Sequence, residues 1–266
     1  MNILEIDQVP EFPIKYSVCT LVSDREEYSV MLESFKKAGF EESFCEFIYV
    51  DNSQRNKYDA YEGLNKMISA SRGKYIILCH QDIELRFDTE EVLDRRIIEL
   101  DQLDKNWGLL SNAGGYNLKK VFKRITHPQD NFNEGPFPHQ VKSVDENFIL
   151  IKKSTNLSLS GDLKGFHLYG TDLCIIASIL GYNAYVVDFH LFHKSTGNMN
   201  ASFYKSRREL ILKYAKVFDS RYIKTTCTIL YLSSNRTLGS IMNSPPVISF
   251  SKFLLKIRKL ITGNYV

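Results

Sequence analysis

Alternating strands and helices dominate the first 111 residues and leave few folds open. Tyr16–Val22 (YSVCTLV) is apolar and rich in strand formers, and it stops at Ser23-Asp24, so it reads as a buried strand. Asp24 can cap the next segment, Arg25–Ala38, where Tyr28, Met31, Leu32 and Phe35 recur at helical spacing before Gly39 ends it. The pattern repeats as strand Phe44–Val50, helix Tyr58–Ala70, strand Lys74–Cys79, helix Glu90–Leu103 and strand Trp107–Ser111. Strands joined through helices need crossovers, and crossovers build a Rossmann-like, mostly parallel sheet with helices on both faces. The expected class is therefore α/β. The chain of 266 residues, 44% hydrophobic and 12% aromatic, has material for a large core. Trp107 opens an apolar strand and is expected in that core.

Beyond Ser111 the pattern breaks. Residues 112–140 are rich in Gly, Asn, Pro and charge and read as a long loop with one hairpin through Lys120–Ile125. A strand at Phe148–Lys152, a helix at Gly170–Leu180, a strand at Tyr185–Val187 and a helix at Asn200–Phe218 follow. No apolar run reaches the ~18 residues of a membrane-spanning helix. Met1–Pro13 carries Glu5, Asp7 and Glu11 without a basic stretch, so it does not read as a secretory signal. Cys19, Cys45, Cys79 and Cys174 sit among apolar neighbours, and no two cysteines are spaced C-x-x-C. Buried free thiols in a reducing, cytoplasmic compartment are the expectation.

Ligands of such sheets bind beyond the carboxyl ends of the strands. Three polar clusters fall there: Ser23-Asp24, Asp51-Asn52-Ser53 and His80-Gln81-Asp82. Neither G-x-G-x-x-G nor G-x-x-x-x-G-K-[ST] is present, which excludes the dinucleotide fingerprint and the P-loop. Asp51 can take a ribose hydroxyl or base N–H, or it can serve a loop or helix cap. Asn112, Gly114 and Gly115 follow the fourth strand, where glycines let backbone approach a sugar or diphosphate or make a tight turn. Asp145 and Glu146 can hold acceptor hydroxyls or solvate a turn.

Six segments, in order, resemble family 2 glycosyltransferases of the GT-A fold: YSVCTLVSDRE, FIYVDNS, GLNKMISASRGKYIILCHQDIEL, VDENFILIKKS, FHLYGTDLCIIASILGYNAYVV and LFHKSTG. His80-Gln81-Asp82 resembles the H-Q-D variant of the D-x-D motif found in a bacterial polysaccharide and rhamnosyltransferase branch. The resemblance covers about Tyr16 to Gly197. It implies an inverting transfer of a sugar from a nucleotide diphosphate donor to a hydroxyl of a surface glycan or lipid-linked acceptor. It implies nucleotide contacts at Val22, Ser23, Asp51, Asn65 and Gln81, and Mg²⁺ or Mn²⁺ held by Asp82 and His193. It also implies a catalytic base at Asp172. His80 replaces the first acid of the motif and is either a ligand or a phosphate partner. Thr171-Asp172 stands where the family has an E-D pair. His190 reads as structural.

Two other functions compete. A sugar-nucleotide nucleotidyltransferase needs a glycine-rich, basic loop after the first strand, and here Ser23–Glu27 is acidic and lacks glycine. A non-catalytic scaffold would explain the missing first acid of the motif, but Asp51, Asp82, Asp172 and His193 are all retained. The transferase domain is expected over residues 1–218, with a basic helical extension over 219–266. From Lys205 onward twelve Lys and Arg face only Glu209 and Asp219, leaving the remainder acidic although the chain totals +3. After Pro245-Pro246, Phe250, Phe253, Leu254, Ile257, Leu260 and Ile261 share one helical face, with Lys252, Lys256 and Lys259 opposite. A basic amphipathic helix suits an anionic membrane surface or docks on the body. The basic residues concentrate in the tail with few interleaved aromatics while the body is acidic, which argues against a nucleic-acid partner.

Overall fold

The computed structural model describes residues 11–262, except 196, 198 and 225 and the side chains of 255 and 258–262. It forms two compact units, one ending at Arg208 and the other beginning at Glu209. The first opens with β1 (Ile14–Val22), α1 (Arg25–Lys37), β2 (Cys45–Asp51), α2 (Ala60–Ala70), β3 (Gly73–Cys79), β4 (Ile83–Glu84), α3 (Glu90–Leu103) and β5 (Trp107–Ser111). Next come five short strands: β6 (Ala113–Gly115), β7 (Val121–Thr126), β8 (Asn131–Glu134), β9 (His139–Val141) and β10 (Ser143–Val144). They lead to β11 (Phe148–Lys152), α4 (Tyr169–Ile179), β12 (Asn183–Val186) and β13 (Leu191–His193). Helix α5 (Ala201–Val217) runs across the unit boundary.

The expected helix starts are chemically visible. Asp24 accepts the N–H groups of Glu26 and Glu27 at 2.8 and 3.1 Å, and Asp59 accepts that of Glu62 at 3.0 Å. Each cap satisfies helix-end donors and contributes about 1 kcal/mol.

The main sheet has seven strands in the order β2-β1-β3-β11-β5-β12-β9. β1 pairs parallel with β2 and β3, and β12 pairs parallel with β5, as the alternation requires. β11 lies antiparallel between β3 and β5, and β9 is antiparallel at the edge. The sheet is thus more mixed than the strand–helix pattern implies. The chain leaves β5 at the same end at which β3 stops, wanders through β6–β10, and re-enters from that end. The expected long loop instead supplies β6, β7 and β8 to a second, six-strand sheet, β10-β6-β7-β13-β4 with β8 on β7, and ends in β9 of the main sheet. The anticipated hairpin appears as β7 paired antiparallel with β6 and β8.

On one face of the main sheet, Tyr28, Met31 and Phe35 of α1 and Leu93, Ile97 and Leu100 of α3 pack on Tyr16, Val18, Val22 and Ile77. Each such side chain stabilises the fold by about 1.5–3 kcal/mol. Trp107 is fully buried in that core, as expected, and its Nε1 donates to Asp101 at 2.8 Å. On the other face α2 approaches β1 closely: a Cβ on Gly63 would stand 2.7 Å from Leu21 Cδ2. Cys19, Cys45, Cys79 and Cys174 are buried and free, and Cys227 is exposed.

The second unit carries an antiparallel pair, β14 (Arg221–Lys224) and β15 (Ile229–Leu232), followed by α6 (Arg236–Met242) and α7 (Pro245–Thr262). Among the described residues no helix is long and apolar enough to cross a membrane.

Candidate active site

β1, β2 and β3 end side by side, and their terminal polar residues meet. Gln81 locks two of these ends together. Its Oε1 accepts the N–H groups of Ser23 and Asp24 at 2.7 and 3.0 Å, and its Nε2 donates to Ser23 Oγ and Glu27 at 3.1 Å each. Beside it opens a pocket of about 290 Å³, lined by Ser23, Asn52, Gln81, Asp82, Phe166 and Tyr169 among others. Asp51 stands at the end of β2. The Ser53 hydroxyl and N–H donate to it at 2.6 and 3.0 Å, Arg25 pairs with it, and together they hold its carboxyl well below the usual range.

A second set of contacts brings His193 to the same place. β4, immediately after the His80-Gln81-Asp82 turn, pairs with β13 so that His193 faces Ile83. Lys194 N–H then donates to the Asp82 carbonyl at 3.0 Å, and Lys194 pairs with Glu27. His193 Nε2 lies 3.3 Å from Asp82 Oδ1, and His80 Nδ1 lies 3.9 Å from the same oxygen. One donor atom from each of His80, Asp82 and His193 falls within 4.8 Å of the others. Burial alone would raise the Asp82 carboxyl, but His193, His80 and Ser195 outweigh it and hold the carboxyl low.

The hydrogen bonds also fix the His80 tautomer. Tyr169 hydroxyl donates to the Glu146 carbonyl at 3.1 Å, so its oxygen accepts from His80 Nε2, 3.1 Å away. The proton of neutral His80 is therefore on Nε2, and the Nδ1 lone pair faces Asp82. Burial, then the neighbouring His193, lower the His80 pKa and keep the ring neutral. Two imidazoles and one carboxylate this close together are a donor set suited to Mn²⁺ and other divalent first-row ions. The residues present fit such an ion. His80 thus joins Asp82 and His193, which the sequence singled out. Tyr169, which orients it, had no sequence signal beyond being an aromatic at a helix start. His190 is structural, as expected: its Nε2 lies 2.8 Å from Thr126 Oγ1 and its ring stacks on Phe87 at 3.8 Å.

The side of the cleft formed by α4 departs from expectation. Asp172 has 0% exposure, and its two oxygens accept Ser160 N–H and Oγ at 2.8 and 2.7 Å. It fastens the chain before α4 and, like Glu146, is not among the residues that line the pocket at the strand ends. Glu146 is the carboxylate at the head of α4, where Gly170 N–H donates to it at 3.3 Å. Burial and the adjacent Asp145 push its pKa up to about 8, against the pull of the Gly170, Tyr169 and Leu168 N–H groups. Asp145 is exposed and is held by Asn147, whose N–H and Nδ2 reach it at 3.0 and 2.5 Å. The Asn147 carbonyl takes His80 N–H at 3.0 Å, linking this turn to the His80-Gln81-Asp82 turn.

Other expected contacts fall elsewhere. Asn65 spends its amide on the Leu159 backbone, donating at 2.9 Å and accepting at 2.8 Å, and lines a different groove. Val22 is fully buried, and its carbonyl takes Asn52 N–H at 2.7 Å. Asn112 is fully buried and donates to the Arg124 carbonyl at 3.2 Å. Gly114 belongs to the second sheet, where a Cβ would meet the Ser143 carbonyl at 2.5 Å; its role is close strand packing.

No family model matches the chain. A curated protein, "ATP synthase subunits region ORF 6" of Fuscovulum blasticum, is 34% identical over 221 residues, which cover 80% of this chain and 88% of that protein. The chain belongs to that protein's family. Among solved structures, the S. aureus TarS 1–349 fragment in complex with UDP-GlcNAc matches with a TM-score of 0.52 at 12% identity over 75% of this chain. The mannosyltransferase PcManGT of Pyrobaculum calidifontis, in complex with GDP-Man and Mn²⁺, matches with a TM-score of 0.51 at 11% identity over 79% of this chain. The chain spans 66% of each of these two and 39% of a longer TarS chain. At such identities the likeness is one of fold, and this member of the family has the GT-A glycosyltransferase fold.

Proposed function

We propose that the chain is an inverting, metal-dependent glycosyltransferase that moves a sugar from a nucleotide diphosphate donor to a hydroxyl of a glycan or lipid-linked glycan. The observation that carries this reading is the His80–Asp82–His193 cluster beside the pocket at the ends of β1–β3. That is where ligands of open α/β sheets bind. Neighbours of the same fold hold UDP-GlcNAc, or GDP-Man with Mn²⁺, which supports the donor class and a divalent ion. Mn²⁺ or Mg²⁺ held by His80, Asp82 and His193 would neutralise charge on the departing diphosphate. Asp51, at the end of β2, is assigned to read base or ribose, and Ser23 and Gln81 shape the pocket wall. The H-Q-D turn then works through His80 as an imidazole ligand in place of a carboxylate.

Glu146 takes the base role in this proposal. The acceptor oxygen forms a bond to the anomeric carbon, the bond to the diphosphate breaks, and the acceptor proton passes to Glu146. A carboxylate with a pKa near 8 is a stronger base than an ordinary one. Attack from the side opposite the diphosphate inverts the anomeric centre. The transferase domain is assigned to residues 1–218 and the extension to 219–266. The four buried free thiols support a cytoplasmic setting.

Calorimetric titration of UDP, TDP, GDP and CMP, with and without Mn²⁺, tests the reading. Tight, Mn²⁺-dependent binding of one diphosphate is the expected result and names the donor nucleotide. No binding of any nucleotide by folded protein would overturn it in favour of a non-catalytic scaffold.

A further inference from the structure

Helix α7 turns its most apolar stripe away from its own unit. Phe250, Phe253, Leu254 and Ile257 are 58%, 56%, 49% and 36% exposed. They recur at i, i+3, i+4 and i+7 and so lie on one face. The helix is seated instead through half-buried Val247, Ile248 and Ser251, with Ser251 Oγ 3.1 Å from the Tyr222 hydroxyl. Exposed Leu238 and Ile241 of α6 add to the uncovered apolar surface of the unit. Lys252 and Lys256 are exposed on the flank of α7 away from the stripe. From Glu209 onward nine Lys and Arg face only Glu209 and Asp219.

Apolar area and uniform positive charge on one small unit specify the occupant. A protein groove would answer the apolar stripe alone. An anionic bilayer answers both, taking Phe and Leu side chains between its acyl chains and placing negative headgroups around the lysines. With no helix able to cross a membrane among the described residues, the contact is with a surface. We propose that α7 docks the chain on an anionic membrane, its 250–253–254–257 stripe inserted and its lysines at headgroup level. This inference stands independently of the transferase reading.

The test is co-sedimentation of the full chain with vesicles of phosphatidylcholine alone and of phosphatidylcholine with phosphatidylglycerol, at low and high salt. Binding is expected to the anionic vesicles only, weakening with salt. Lys252→Glu/Lys256→Glu and Phe250→Ser/Phe253→Ser should each weaken it by about tenfold or more. A Phe253→Trp chain should show blue-shifted emission on adding anionic vesicles. Failure to bind either vesicle, or equal binding to both, overturns the proposal. So does a concentration-dependent dimer that the Phe250→Ser/Phe253→Ser pair abolishes, because the stripe would then belong to a second copy. Unchanged circular dichroism of each variant excludes misfolding as the cause of lost binding.

Discussion

The two walls of the cleft are built in opposite ways. On the strand-end wall, Ser23, Asn52, Gln81 and Asp82 line the pocket because the strands before them stop there. The partners of Ser23 and Gln81 lie on the adjacent strand end, and only Asp82 draws its partner, His193, from the second sheet. On the α4 wall, Glu146 owes its place to β11 returning antiparallel beside β3 and to α4 aiming its first N–H groups at the returning turn. The first wall is set by local chemistry at element ends, the second by long-range pairing. Substitutions should therefore act differently on the two walls.

The sharpest contrast sets Glu146 against Asp172. Glu146→Gln should lower kcat by about 100- to 10,000-fold, the usual worth of a positioned base, while donor affinity holds. In the unsubstituted chain the rate should climb through pH 8 as Glu146 ionises, and the variant should lose that limb; steady-state transfer rates across pH check this. The same carboxyl links to stability. Its folded pKa is raised from 4.5 to about 8, so between those values the native state binds more protons than the unfolded one. Stability should then fall as pH rises through that window. Denaturant midpoints should show this fall, and Glu146→Gln should flatten it.

On the other wall the metal ligands come next in size. Tyr169→Phe removes the hydroxyl that takes the His80 Nε2 proton. It should weaken Mn²⁺ binding about 10- to 100-fold, as loss of a ligand's supporting partner does. Asp82→Asn should weaken it further. Titration of Mn²⁺ into folded protein reads both. Equal Mn²⁺ affinity in all three proteins would break the assignment of this cluster.

Much of the strand-end wall was legible in the sequence because strands and their stops are local signals. β1–β3, the capping Asp24 and the three polar clusters lie where the sequence put them. The α4 wall was not legible. No local pattern tells that β6, β7, β8 and β10 join a second sheet, or that β11 runs antiparallel. Asp172 illustrates the cost. Near the start of a helix and inside a resembling motif it looks catalytic, yet Ser160, twelve residues earlier, takes both its oxygens. Position 160 carries no pattern that announces this. His80 shows the converse, since the ligand role proposed for it rests on Tyr169 fixing the tautomer, and that contact spans 89 positions.

Asp172→Asn should accordingly cost stability rather than chemistry. The variant loses a charge-assisted bond in a fully buried place, worth about 1–3 kcal/mol, and kcat of the folded fraction should change little. A loss of kcat as deep as that of Glu146→Gln, with stability intact, would return the base role to Asp172.

The smallest effect separates binding from support at Asn65. The sequence placed this residue against the nucleotide, and the structure gives both ends of its amide to the Leu159 backbone. Asn65→Ala strips two hydrogen bonds from the segment that also presents Ser160 to Asp172. About 1 kcal/mol of stability per lost bond is expected, with nucleotide affinity unchanged in calorimetry. If affinity falls and stability holds, Asn65 belongs to the strand-end wall after all, and the division between local and long-range construction must be redrawn at α2.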